Sequence, residues 1–85
     1  MNQHFQDSID LYVNEGIPPG HFLTACFAND LAEAVKRADL EARRELHEIV
    51  HAIDKTPGEC RGSAEKVASW IQNKAFRREA RNENP

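Results

Sequence analysis

The sequence predicts an all-α protein, a small bundle of about four helices. Apolar residues recur at helical spacing in four segments. No segment shows the apolar-polar alternation and β-branched richness typical of a strand. Stretches rich in proline and glycine at 16–20 and 56–62 separate helical segments. We therefore expect a single helical domain over residues 1–76, followed by a basic, flexible C-terminal tail at 77–85.

The first predicted helix runs from about Gln3 to Asn14. Its apolar residues fall at i, i+4, i+7 and i+8 and form one stripe: Phe5, Ile9, Tyr12 and Val13. Gly16 ends this helix. The prolines that follow, Pro18 and Pro19, favour extended geometry and remove backbone donors, so 16–20 is a rigid connector.

The second predicted helix spans about His21 to Ala38. One face of it is apolar and comprises Leu23, Phe27, Leu31, Ala34, Val35 and Ala38. Its first half is apolar nearly all round, which predicts the most buried part of the fold. Asn29 and Asp30 lie in the middle although both residue types prefer caps and turns. We interpret them as making a polar contact with a neighbouring helix or partner; the alternative is that they face solvent.

The third and fourth predicted helices each begin at a residue type that caps helices. Asp39 opens the third, which ends near Lys55 and turns four apolar residues inward: Leu46, Ile49, Val50 and Ile53. Ser63 opens the fourth, whose inner face comprises Ala64, Val67, Trp70 and Ile71. The Trp70 side chain is interpreted as a core anchor rather than a ligand platform.

Composition places the chain among ordinary globular domains. It has 85 residues, of which 40% are hydrophobic and 29% charged, with a net charge of −3. A core of this size favours homo-oligomerisation. Residues 72–85 carry a net charge of +2 and the rest of the chain −5. Because readers of nucleic-acid backbones show a broader basic face, nucleic acid is not an expected partner.

Localisation is predicted from the absence of membrane and export signals. No apolar run approaches the roughly 18 residues needed to span a bilayer. Met1–His4 does not begin a signal peptide. We expect a cytoplasmic protein in a host cell, with no role for the membrane.

The two cysteines are predicted to be free thiols, as is usual in the cytoplasm. Cys26 lies in an apolar stretch and is expected to be buried as a small hydrophobe. Cys60 lies in a loop and is expected to be exposed. Neither belongs to a CxxC pair, which excludes the thiol-rich zinc sites.

Residues 47–51 match the H-E-x-x-H pattern of metalloproteases, in which two histidines bind zinc and the glutamate polarises water. At about 100° per residue, however, His47 and His51 fall on the flank of the helix and Glu48 points to solvent. A catalytic zinc also needs a third protein ligand, which Asp54, or Glu59 or Cys60 in the loop, would supply only if the loop folded back. We interpret the motif as a solvated helix flank, with adventitious zinc or nickel binding by the histidine pair as an alternative.

Two glycine-led helix starts are candidate anion sites, because the first backbone N–H groups of a helix lack internal partners. Seven residues would form or surround these sites: Gly20, His21, Arg37, Arg61, Gly62, Ser63 and Lys66. Together they suit a phosphate or carboxylate group. The alternative is that the glycines and the serine only cap and turn the chain.

Several short runs in fixed order resemble a family of small phage and prophage helical proteins of unassigned function. The runs are Gly16-Ile17-Pro18-Pro19-Gly20, Phe22-Leu23-Thr24-Ala25, Asn29-Asp30-Leu31, Arg37-Ala38-Asp39, Ile49-Val50, Pro57, Gly62-Ser63, Lys66-Val67 and Trp70. The resemblance covers about residues 5–71. Relatives commonly have an aromatic residue where this chain has Arg61, and they lack the two histidines of the third helix. The resemblance implies kinship and no catalytic residues.

These observations favour a non-enzymatic binding protein of phage or prophage type, without a cofactor, that acts on a host component or in counter-defence. Its partner would be a host or phage protein. One alternative is sequestration of a small phosphorylated ligand at the helix starts, in an oligomer. A second is a zinc hydrolase acting through His47, Glu48 and His51, and a third is nucleic-acid binding through the basic tail.

Overall fold

The structure is a computed structural model that describes residues 1–83, with side chains as far as residue 79. Within that range the chain is all-helical and contains no strand, which confirms the predicted fold class. The elements in chain order are α1 (Gln3–Glu15), α2 (His21–Phe27), α3 (Leu31–Arg37), α4 (Leu40–Arg44), α5 (Leu46–Asp54), a 3-10 helix (Gly58–Cys60) and α6 (Ala64–Glu83).

The described residues form six α-helices, so the expectation of about four was too low. The predicted helix 21–38 is broken at Asn29, whose φ of 60° is left-handed. Asp30 then caps α3, because its side chain accepts a hydrogen bond from the Glu33 N–H at 3.1 Å. The predicted helix 39–55 is likewise divided at Glu45, between α4 and α5. Asn29 and Asp30 therefore act as a helix break and a cap, and not as the contact to another helix that we expected.

Three other predicted boundaries are confirmed by hydrogen bonds. Gly16 ends α1 with a φ of 69° and donates its N–H to the Tyr12 carbonyl at 2.9 Å. The Asp39 side chain accepts the Ala42 N–H at 2.8 Å at the start of α4. The Ser63 hydroxyl accepts the Lys66 N–H at 3.1 Å at the start of α6.

The core lies where α1, α2, α5 and the start of α6 meet. Its largest fully buried side chains are Tyr12, Phe27, Ile9, Ile49 and Cys60. The ring centroids of Tyr12 and Phe27 are 4.4 Å apart, which joins α1 to α2. Trp70 of α6 is half-buried and donates its indole N–H to the Tyr12 carbonyl at 3.0 Å, as expected of a core anchor.

The inner face predicted for the second helix is only partly buried. Leu23 and Phe27 of α2 belong to the core, and so do Ala34 and Ala38. Leu31 and Val35 of α3 are instead 74% and 53% exposed. The reason is the break at Asn29, which gives α3 a new direction, so that the stripe of α2 does not continue into it.

The burial of the two cysteines differs from the prediction. Both thiols are free, as expected. Cys60, however, is fully buried, because the 3-10 helix folds its loop onto α1 and α6. Cys26 is only half-buried, since the turn into α3 leaves one side of α2 open.

Helix α6 continues past the predicted end of the domain at residue 76, and its backbone is helical through Glu83. Asn84 and Pro85, the end of the predicted tail, lie outside the described residues. None of the helices within 1–83 combines the length and apolar character that a membrane crossing requires.

Candidate binding surfaces

An apolar groove opens between the α2–α3 corner and α5. It encloses about 190 Å³. Most of the residues that line it are aliphatic or small: Ala25, Cys26, Leu31, Ala34, Leu46, Val50 and Ile53, with Asn29 and Asp30 at the helix break. Val50 is 52% exposed and Leu31 still more, so each wall of the groove presents one aliphatic side chain that is largely open to solvent, whereas Ala25, Ala34 and Ile53 are buried.

The groove arises from the same two residues that break the helix. Asn29, in its left-handed conformation, ends α2, and Asp30 caps the start of α3. The turn between the two helices places Leu31 on the exposed side of α2 instead of in the core. Val50 comes from α5, whose Ile49 and Ile53 are buried and fix the orientation of that helix. The groove therefore stands on rigid elements.

Cys26 contributes a thiol to this groove. Partial burial without a charged partner raises the pKa of the Cys26 thiol to about 11, because an apolar setting disfavours the thiolate. At neutral pH the side chain is therefore a neutral, weakly polar part of an apolar wall.

The predicted anion-site residues at the start of α6 do lie together. Arg61, Gly62, Ser63 and Lys66 surround its first turn, and Gly62 has a φ of 116°. Several of their hydrogen-bond donors are already used within the fold. Arg61 donates hydrogen bonds to the carbonyls of Asp54 and Thr56, both at 3.2 Å, and thereby caps the end of α5. The Gly62 N–H donates to the Phe27 carbonyl at 2.7 Å.

The other predicted anion-site residues lie at the opposite end of α2. Gly20 and His21 begin that helix, and no side chain caps it. Arg37 donates to the Glu33 carboxylate at 2.8 Å, and this hydrogen bond lowers the pKa of Glu33, as does the charge of nearby His21 to a lesser extent. Gly62 contacts the C-terminal end of α2, whereas Gly20 and His21 lie at its N-terminal end, about 10 Å away. Within one chain, therefore, the two candidate anion sites do not form a single site.

A second, more polar groove follows the exposed side of α6. It encloses about 570 Å³ and is lined by Glu59, Ser63, Glu65, Lys66, Ser69, Trp70 and Asn73. The Lys74 ammonium lies 4.8 Å from the centre of the Trp70 ring. Hydroxyl, amide and ammonium donors thus share one surface with an aromatic ring, although two carboxylates border it.

The H-E-x-x-H residues lie on the exposed flank of α5, as predicted. The Glu48 carboxylate pairs with the amino group of Met1, and the hydrogen bond between them lowers the pKa of Glu48. Within the described residues no three His, Cys, Asp or Glu side chains are placed to hold a metal ion. The third ligand proposed from the sequence does not approach: Cys60 is buried and the Asp54 carboxylate faces Arg61 at 3.8 Å.

Sequence reasoning missed the apolar groove, although a signal for it was present. Asn29 and Asp30 in an otherwise regular helical pattern indicate a break, and a break would have turned Leu31 and Val35 off the buried face. Comparison with protein-family models, with curated proteins and with solved structures gives no match for this chain.

Proposed function

We propose that this chain is a non-enzymatic binding protein of phage or prophage type. It binds a host protein through the apolar groove between the α2–α3 corner and α5. The observation that carries the proposal is the exposure of Leu31 on α3 and Val50 on α5, which line one apolar groove, with the exposed Val35 one helical turn from Leu31. Contiguous exposed apolar surface of this kind is typical of protein-binding sites. The resemblance to small phage and prophage proteins supports the biological setting.

The favoured occupant is an amphipathic helix of the partner. Fully burying an exposed aliphatic side chain contributes about 1.5–3 kcal/mol. Leu31, Val35 and Val50 are 74%, 53% and 52% exposed, so each would contribute roughly half to three quarters of that value, and the three together would anchor an interface. A groove between helices accepts apolar side chains spaced along one face of a partner helix. Asp30 borders the groove, which favours a basic residue beside the apolar face of the partner. Asp54 lines an adjoining hollow with Val50, but its carboxylate already faces Arg61, so it adds nothing to this preference.

Charge substitutions in the groove test this proposal. Leu31→Glu and Val50→Glu would place carboxylates in the interface, whereas both side chains are exposed and the free energy of unfolding should change by less than about 0.5 kcal/mol. Leu40→Glu is the matched control, because Leu40 is 63% exposed and does not line the groove. Each variant is used for affinity capture from host lysate and in a phage growth assay.

The proposal requires a partner that the original chain and Leu40→Glu recover and that both groove variants lose, together with the effect on phage growth. A partner recovered equally by all four chains would place the interface elsewhere. No specific partner and no growth effect would remove the proposal. Native mass spectrometry of the purified chain adds the oligomeric state, since a homo-oligomer built on this groove would also dissociate in the groove variants.

The second candidate function is sequestration of a small phosphorylated ligand. It is favoured by the donors of the polar groove on α6, where Ser63, Lys66, Ser69 and Asn73 share a surface with Trp70. Calorimetry against a panel of nucleotides and cyclic dinucleotides tests it. Lys66→Ala should abolish binding and Lys55→Ala, an exposed lysine beyond α5, should not. The absence of both heat and thermal shift would remove this candidate.

A further inference from the structure

Two histidines are presented side by side on α5. His47 and His51 are one helical turn apart, both are exposed, and their ring centroids lie 4.5 Å from each other at an interplanar angle of 57°. Neither ring has a hydrogen-bonded carboxylate among the described side chains, and neither fills the core. The sequence motif is that of a zinc hydrolase, but the geometry of the two histidines favours a simpler metal site.

The separation of the rings suits one shared metal ion. Imidazole nitrogens bind such ions at about 2.0–2.1 Å, so two nitrogens on one ion lie no more than about 4.2 Å apart. The centroids of the two rings are already 4.5 Å apart and both side chains are exposed, so side-chain rotation can bring one nitrogen of each ring to a shared ion. The backbone of α5 fixes the spacing, since Ile49 and Ile53 hold that helix in the core.

We propose that His47 and His51 form a two-histidine chelate for a late first-row divalent ion, Ni²⁺, Cu²⁺ or Zn²⁺. Imidazole ligands suit these ions, whereas Mg²⁺ and Ca²⁺ prefer oxygen ligands. The pair fills two coordination positions and leaves the others to water. The site is independent of the apolar groove and of the polar groove, and it needs neither the third protein ligand nor the Glu48 base of a hydrolase.

Calorimetric titration of the full chain with Ni²⁺ tests the site, and Ni²⁺ is chosen because Cu²⁺ oxidises thiols such as the half-buried Cys26. We expect one ion per chain. His47→Ala and His51→Ala should each weaken binding at least about tenfold, because the second ligand of a chelate binds intramolecularly. The double variant should bind more weakly than either single one, because it also loses the remaining imidazole. Ni²⁺ should also raise the unfolding temperature of the original chain, but not of these variants.

The chain supplies a matched control in its other two histidines. His4 and His21 are exposed on separate helices, so His4→Ala/His21→Ala should bind Ni²⁺ as the original chain does. Mg²⁺ should give no heat at the same concentration. The proposal is overturned if Ni²⁺ gives no binding, if His47→Ala or His51→Ala binds unchanged, if the His4/His21 control loses binding, or if Mg²⁺ binds as tightly as Ni²⁺. Unfolding curves recorded without metal show that each variant is folded.

Discussion

The Tyr12 hydroxyl donates a hydrogen bond of 2.7 Å to the Cys60 carbonyl, 48 residues away in the chain. Both residues are fully buried. The bond therefore ties the loop between α5 and α6 to the last turn of α1, and the Trp70 indole completes the connection from α6 to the Tyr12 carbonyl. Tyr12 thus connects α1, the loop between α5 and α6, and α6.

Tyr12→Phe should lower the free energy of unfolding by about 1–3 kcal/mol. The substitution keeps the ring against Phe27 but leaves the buried Cys60 carbonyl without its donor. Urea unfolding followed by circular dichroism measures the change, with Phe76→Leu, a substitution at an exposed aromatic residue, as the control. An unchanged midpoint in Tyr12→Phe would show that water or another group satisfies the carbonyl.

Stability should fall above about pH 10 because of Tyr12. Burial raises the pKa of this phenol above its ordinary value of about 10, so the folded chain holds the proton after the unfolded chain has released it. The contribution is therefore fully present below about pH 10 and is lost as the pH rises. Tyr12 is the only tyrosine, so tyrosinate absorbance reports it directly. Since lysines also titrate in this range, the pH dependence that Tyr12→Phe removes is the quantity to measure.

Gly16→Ala should destabilise the chain by more than about 1 kcal/mol. Gly16 has a φ of 69°, and a Cβ added there would lie 2.3 Å from the Cβ of Lys74 on α6. Gly58→Ala is the matched control, because Gly58 has no atom within 4 Å of an added Cβ and no positive φ. Thermal unfolding distinguishes the two variants; equal melting temperatures would mean that α1 and α6 separate at little cost.

Much of the fold could be predicted from local chemistry. Gly16, Asp39 and Ser63 were identified as helix boundaries because their preferred conformations and side-chain hydrogen bonds act within a few residues. The break at Glu45 could not be predicted in this way. Glutamate has no preference for a break, and its carboxylate contacts the Met1 amino group and the Asn2 backbone N–H, which are distant in sequence.

The candidate surfaces were less predictable, because they depend on how helices pack. The cluster at Arg61 and Lys66 was identified from residue type, but the hydrogen bonds from Arg61 to the end of α5 depend on the fold of the loop. The exposure of Leu31 depends on the direction of α3 relative to α2. If the helix continued through residue 29, its periodicity would place Leu31 in the core. The left-handed turn at Asn29 instead leaves Leu31 exposed.

The break at Asn29 can be tested by substitution. Asn29→Gly should keep the stability or raise it slightly, whereas Asn29→Ala should cost about 1–2 kcal/mol, because alanine resists the left-handed conformation. Asn14→Ala, in the last turn of α1, is the control and should be neutral or stabilising. If Asn29→Ala were as stable as Asn14→Ala, the chain would tolerate a continuous helix through residue 29.

The two cysteines should differ sharply in reactivity. Cys26 borders the apolar groove and is half-exposed, so iodoacetamide should reach it in the folded chain, whereas Cys60 should react only after unfolding. Because burial raises the pKa of the Cys26 thiol to about 11, alkylation should be slow near pH 8 and accelerate about tenfold per pH unit. Peptide mass spectrometry identifies the labelled residue, and Cys26→Ser should remove native-state labelling. Alkylation of Cys60 at the same rate as Cys26 would contradict the burial of Cys60 in the 3-10 helix. A partner bound in the groove should protect Cys26 from alkylation and should not change the labelling of Cys60 on unfolding.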